Sequence, residues 1–265
     1  MVEPWTDGPR LLERLRATPP LVQCITNYVS MDIAANAVLA VGASPAMVHA
    51  REEAADFAAL ASALVLNIGT ASGHWVDAMV DAARVARKRG RPVILDPVAA
   101  GATAFRREAC RRLLEVGVDV IRANASEILA LAADSGARGR GVDATDPVED
   151  AWQAARELQQ KTGAVVAVTG PVDRVFDEHR TAEIAGGHPL MAKVTAVGCA
   201  ASAVVGSFCA VTDDYWGGTV AALSAFGTAG AAAGIDHPGP ATFRTRLLDG
   251  LHALEPAELA GVQIL

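Results

Sequence analysis

In PVILDPVAAGATAFRREACRRLLEVGVDVIRANASEIL, residues 92–129, two short apolar runs each give way to a segment with helical spacing. Pro92–Asp96 and Asp119–Arg122 are almost continuously apolar, as strands buried on both faces are. Phe105–Glu115 places its apolar residues at the helical period between them, and a further helix starts near Ala125. Gly90, just ahead of Arg91-Pro92, is a helix stop set before a strand. Strand, helix and parallel strand in succession make a βαβ unit.

The same rhythm extends in both directions. Leu21–Ile25, Ser62–Ile68 and Ala164–Thr169 read as further buried strands. Asp32–Val41, Ala50–Ala61, His74–Lys88 and Pro147–Lys161 read as the helices between them. Asp173–Gly187 breaks the pattern: polar and apolar residues alternate around a polar turn, which predicts an antiparallel hairpin. Beyond Gly198 the chain reads as helical, with an apolar helix from Cys199, another over Gly217–Ala233 and an amphipathic one over Pro240–Leu254. The expectation is an α/β fold, a mostly parallel central sheet with helices on both faces. No linker, repeat or low-complexity tract interrupts the chain, so residues 1–265 are expected to form one domain.

Composition narrows the function. The chain has 265 residues, 51% of them hydrophobic but only 5% aromatic, and a formal net charge of −7. A nucleic-acid platform carries a basic stripe, and this chain has none, so no nucleic-acid partner is expected. Gly217–Ile235 is long enough to raise the question of a membrane, but it is mostly Gly and Ala and lacks aromatic and basic flanks; it reads as a buried helix. Four cysteines without a C-x-x-C pair, and an acid-bearing start MVEPWTDGPRLLERLR, point to a reducing, cytoplasmic setting. Cys24, Cys110 and Cys209 sit in apolar contexts typical of inert core thiols.

In a parallel sheet, ligands bind beyond the carboxyl ends of the strands. Those ends carry Thr26-Asn27, Asn67-Ile68-Gly69-Thr70, Asp96-Pro97, Arg122-Ala123-Asn124 and Thr169-Gly170. In VTAVGCAASAVVGSF (194–208) a small-residue loop runs straight into a helix, whose unpaired N–H groups and dipole suit an anion. A tight turn with a buried cysteine accounts for that loop equally well. Asp96 and Glu127 are acids of the kind that hold Mg²⁺ beside nucleotide phosphates, with one or two carboxylates and several waters. Taken alone, Glu127 reads as an ordinary acid in a helix first turn. Arg122 ends a buried strand, where a charge needs a partner; a phosphate or an acidic neighbour would serve. Neither a Walker A loop nor G-x-G-x-x-G is present, the six histidines show no metal-ligand spacing, and Ser44 lacks a nucleophile-elbow context.

Six segments together resemble one family. QCITNYVSMDIAANAVLAVGASPAM (23–47), LVLNIGT (64–70), VILDPVAAGATAFR (93–106), IRANASEI (121–128), VVAVTGPVDRV (165–175) and the VGC helix start (197–199) are similar to the hydroxyethylthiazole kinases, the thiamine-salvage branch of the ribokinase-like superfamily. The resemblance spans about Leu11 to Leu251. It implies a three-layer α/β/α ribokinase-like fold and Mg²⁺- and ATP-dependent phosphorylation of 4-methyl-5-(2-hydroxyethyl)thiazole at its primary alcohol. Carried over by position, Arg122 and Thr169 contact ATP, and Asp96 and Glu127 serve the metal and phosphates. Met47, Asn27 and Gly69 line the thiazole pocket. Cys199 stands where most ribokinase-like enzymes place an aspartate base, and is expected to orient the hydroxyl first and to act as a weak base second, with a thiol pKa that a helix start can lower.

The resemblance further implies a homotrimer with sites between subunits, so that Asn27 and Met47 would serve a neighbour's Cys199. One departure stands out: the family's G-T-G-C loop is Ala196-Val197-Gly198-Cys199 here, and alanine disfavours the positive φ that glycine allows. Ala196 is thus a substrate-side position whose change narrows the anion hole. Two alternatives stay open, a hydroxymethylpyrimidine-type vitamin kinase and a non-catalytic thiazole or nucleotide binder.

Overall fold

The computed structural model describes residues 7–134, 147–260 and 263–264. In chain order the elements are α1 (Asp7–Ala17), β1 (Leu21–Ile25), α2 (Met31–Val41), β2 (Ser44–Ala46), α3 (Ala54–Leu60), β3 (Ala63–Asn67) and α4 (Gly73–Lys88). There follow β4 (Val93–Asp96), α5 (Ala104–Val116), β5 (Val120–Asn124), α6 (Ala125–Asp134), α7 (Pro147–Thr162) and β6 (Val165–Thr169). The chain ends with β7 (Val172–Phe176), β8 (Thr181–Ala185), α8 (Val197–Cys209), α9 (Tyr215–Ala233), α10 (Pro240–Ala253) and the two-residue β9 (Gln263–Ile264).

Among the described residues nine strands join one sheet in the order β2-β1-β3-β4-β5-β6-β7-β8-β9. From β2 to β6 every pairing is parallel, and β7, β8 and β9 add on antiparallel. The expected hairpin is β7–β8, with Phe176 opposite Thr181. Strand side chains alternate between the two faces. Val22, Cys24, Val65 and Ile94 pack with residues of α1, α2, α8, α9 and α10, whereas Ile25, Leu64, Leu66 and Leu95 pack with α3 to α7. This period-2 division gives the three-layer α/β/α arrangement. Close layering relies on small residues: a Cβ on Gly206 of α8 would lie 2.4 Å from Cγ2 of Val65 in the sheet.

Three features were not read from the sequence. β2 lies inside GASPAM; three residues on the edge of β1 are too few to show alternation. α1 is amphipathic, burying Leu11, Leu12 and Leu15, in a segment read only for its charges. The segment read as a helix over Ala50–Ala61 begins with a turn at 51–53 and is helical over Ala54–Leu60. Among the described residues no helix is long and apolar enough to cross a membrane, and Gly217–Ala233 belongs to the buried α9.

Candidate active site

Because β1, β3, β4, β5 and β6 run parallel, their carboxyl ends lie along one edge of the sheet, and α8 begins there. Asn67 and Asp96 are register partners at the ends of β3 and β4. Both are 1% exposed, and Asn67 Nδ2 donates to Asp96 Oδ2 over 2.7 Å. Ser202 Oγ, one turn into α8, donates to the same oxygen over 2.8 Å. Asn67 Oδ1 accepts from Asn27 Nδ2 (2.8 Å) and from the Gly69 backbone N–H (3.0 Å). Asn27 Nδ2 also donates to Cys199 Sγ at 3.3 Å. Four side chains, one thiol and a loop amide are therefore joined in a single buried network. Gly69 is required by proximity: a Cβ there would lie 2.7 Å from Asn27 Nδ2.

The network sets the charges. Burial pushes the Asp96 carboxyl up to about 6, opposed by the Arg122 charge and by the Ser202 and Asn67 hydrogen bonds, and reinforced by Glu127. Burial, then the Asp96 charge, raises the Cys199 thiol, with the amides acting the other way. Cys199 is therefore held as a neutral thiol, with burial raising it where a helix start could have lowered it. The placement of Asn27 at a neighbour's Cys199 is overturned, since Asn27 bonds the Cys199 of its own chain.

Glu127 sits at the mouth of this network and is bonded twice. Oε2 accepts from the Asn124 N–H (3.0 Å) while Asn124 Oδ1 accepts from the Glu127 N–H (2.9 Å), a reciprocal cap on α6. Oε1 accepts from the Ala99 N–H (2.8 Å), which fixes the loop after Asp96. The ordinary helix-start reading of Glu127 is therefore correct, and each oxygen retains lone-pair capacity for a metal.

The other half of the site is more open. A cavity of about 640 Å³ is lined by Arg122, Thr169, Gly170, Asp173, Val197 and Gly198, with further walls from the end of β8 and from α9. Arg122 Nε is buried without a hydrogen-bond partner, and a Cβ on Gly198 would lie 2.9 Å from its Nη1. A half-buried arginine with an unpartnered buried Nε beside a helix start is a site suited to an anion. Asp173, whose Oδ1 accepts from the Gly170 N–H (2.9 Å), is pushed up by burial.

The remaining expected site residues fall beside these groups. Thr169 Oγ1 donates to the Ala123 carbonyl (3.3 Å) at the cavity wall. Ala196 caps α8 with φ 63°, in the left-handed region, and is half-buried against the core. Met47 follows β2 at the sheet edge, half-buried against the core, and takes no part in the hydrogen-bonded network.

The sequence places Asn67 at a strand end without giving it a role, and offers no site role for Ser202, Arg106 or Asp173. Ser202 carried a signal, since it is the one polar side chain in the apolar run CAASAVVG. Among the described residues no group of three or more His, Cys, Asp or Glu is arranged to hold a metal. Asp96 and Glu127 nonetheless suit Mg²⁺, which takes one or two carboxylates and fills its shell with water and phosphate. Glu127 raises Asp96, and a cation near both would relieve that repulsion.

The chain matches a model described as the hydroxyethylthiazole kinase family over residues 12–257. It is 55% identical over 250 residues to a hydroxyethylthiazole kinase of Rhizobium johnstonii, covering 94% of this chain and 93% of that one. A hydroxyethylthiazole kinase of Cereibacter sphaeroides is 54% identical over 248 residues, 94% of each chain. The solved hydroxyethylthiazole kinase protein of Pyrococcus horikoshii OT3 superposes with a TM-score of 0.90 at 38% identity, covering 98% of this chain and all of that one. The pyridoxal kinase of Bacillus subtilis, solved as an ADP complex, superposes at 0.60 with 16% identity over 80% of this chain and 92% of that one, which speaks for the fold alone.

Proposed function

The chain belongs to the hydroxyethylthiazole kinase family, and we propose that it moves the terminal phosphoryl group of ATP to the primary alcohol of 4-methyl-5-(2-hydroxyethyl)thiazole at this strand edge. It is an enzyme, and its product feeds thiamine biosynthesis. The observation that carries the site assignment is the meeting of two halves at the start of α8: Arg122, with its partnerless buried Nε, faces the cavity, and the Asn27–Asn67–Asp96–Ser202 network lies on the other side of Cys199.

Phosphoryl transfer asks for positioning and charge neutralisation more than for covalent chemistry. Arg122, Thr169 and the first N–H groups of α8 receive the phosphates, and Gly198 keeps that approach clear. Asp96 and Glu127 would hold Mg²⁺, which neutralises charge on the transferring phosphoryl group. Asn27 and Gly69 line the acceptor pocket, with Met47 at its outer side and Ala196 behind the anion hole. Cys199 is a neutral thiol held by Asn27, so it orients the acceptor hydroxyl rather than removing its proton.

One domain, a homotrimer and a cytoplasmic setting complete the reading. Exposed Tyr28, Val29 and Leu39 give α2 and the loop before it an apolar surface for subunit contact. The four free cysteines suit a reducing compartment. The decisive experiment measures ADP release with Mg-ATP and either the thiazole alcohol or hydroxymethylpyrimidine. Release driven by the thiazole alcohol supports the proposal. A preference for the pyrimidine, or thermal stabilisation by thiazole without any ADP, overturns it.

A further inference from the structure

Arg106, in the first turn of α5, spends its guanidinium on three backbone carbonyls. Nη1 donates to Ile68 O (3.1 Å) and Val98 O (2.6 Å), and Nη2 donates to Gly69 O. Its own N–H donates to Thr103 Oγ1 (3.2 Å), which caps the helix, so the side chain is anchored at its base. Ile68 and Gly69 belong to the loop after β3, and Val98 to the loop after β4.

Each loop continues directly into the site. Gly69 donates its N–H to Asn67 Oδ1, which in turn fixes the Asn27 amide. Ala99, next to Val98 and itself at φ 53°, donates its N–H to Glu127 Oε1. A planar fork with five donors can span carbonyls on two loops at once; an ammonium presents its donors from one atom.

We propose that Arg106 is a positioning residue that couples the acceptor-alcohol loop at Gly69 to the metal and phosphate loop at Ala99 and Glu127. This inference rests on the proposed roles of Gly69, Asp96 and Glu127. Without the fork the two loops hold their places independently, and the acceptor oxygen loses its register against the phosphoryl group. Misplacement on the scale of an ångström costs about a hundredfold in rate.

The test compares Arg106→Lys and Arg106→Ala with the unaltered enzyme. Isothermal titration reads binding of the thiazole alcohol and of Mg-ADP separately, and steady-state kinetics reads KM, kcat and the Mg²⁺ concentration for half-maximal rate. For both variants kcat/KM falls by about ten- to a hundredfold, mainly through a lowered kcat with a smaller rise in the KM for the alcohol, and the Mg²⁺ requirement rises. Melting temperature moves little for the lysine variant, and added methylguanidinium restores part of the activity of the alanine variant. An unchanged kcat and Mg²⁺ requirement in the lysine variant overturn the inference, as does a loss that only follows the melting temperature and resists methylguanidinium. Failure of the unaltered enzyme to bind the alcohol would instead overturn the reading on which the inference rests.

Discussion

The two halves of the site differ in how their polar groups are satisfied. On the acceptor side, Asn27, Asn67, Asp96 and Ser202 are almost fully buried and bonded to one another. On the cavity side, a buried guanidinium nitrogen has no partner and glycine keeps the space beside it free. The first arrangement is preorganised before any ligand arrives; the second is completed only by one. An unmet buried donor is costly, so a fold keeps one where a ligand repeatedly supplies the missing partner. The halves are also electrically linked, because the Arg122 charge lowers Asp96 against the effect of its burial.

The largest expected effect breaks the preorganised half. Asp96→Asn should lower kcat/KM by about a thousandfold or more, measured as ADP release, since on the proposed reading it removes the buried charge that serves metal and phosphate. Its stability should move the other way. Asp96 has a folded pKa near 6, above its ordinary value of 3.8, so its contribution to stability is full below about pH 4 and is lost as pH rises through 6. The variant should therefore melt higher than the unaltered protein at pH 7.5, by about a few degrees, and the gap should close at pH 4. An equal gap at both values would show that the charge is not strained.

Breaking the open half should cost less rate and little stability. Arg122→Gln is expected to reduce kcat/KM by about a hundredfold, with the melting temperature of the free protein nearly unchanged. It should also move the acid limb of the kcat/KM profile. In the unaltered enzyme that limb is expected near pH 6, from the raised Asp96 carboxyl, and loss of the Arg122 charge should carry it upward. A limb that stays in place would mean that the two halves titrate independently.

Cys199 stands between the halves and tests which one it serves. As a neutral thiol bonded to Asn27 it belongs to the preorganised side. Cys199→Ala should lower kcat by about tenfold, short of the 10²–10⁴ that loss of a general base costs, and leave the acid limb unmoved. Complete loss of activity in both Cys199→Ala and Cys199→Asp would remove the orienting role.

The sheet was legible because strands buried on both faces leave long apolar runs; their ends marked the edge that holds Asn27, Asn67, Gly69, Asp96, Arg122 and Thr169, and the family resemblance gave Asn27 and Gly69 their roles. What escaped was whatever depends on who meets whom across the fold. Ser202 reaches Asp96 from 106 positions away, and the three carbonyls that hold Arg106 have no sequence signature because every residue carries one. The direction of the Cys199 shift is hidden for the same reason: a helix start is visible in sequence, whereas the burial that raises the thiol depends on distant packing. Asn27 was assigned across subunits, although β1 and α8 bring it to Cys199 within one chain.

The smallest effect sits at the seam between the two halves. Ala196 holds φ 63° at the cap of α8, a conformation that costs an alanine about 1 kcal/mol or more and a glycine almost nothing. Glycine also loses more freedom on folding, which returns about 0.4–1 kcal/mol of that difference. Ala196→Gly should therefore raise the melting temperature by no more than about 2 °C, as scanning calorimetry would show. Its effect on kcat/KM decides where the alanine methyl acts. Ala196 packs against the core while Val197 and Gly198 form the cavity wall, so the rate should change by less than about threefold. A tenfold gain would place the methyl on the path of the phosphoryl group and make the seam, rather than either half, the limit on turnover.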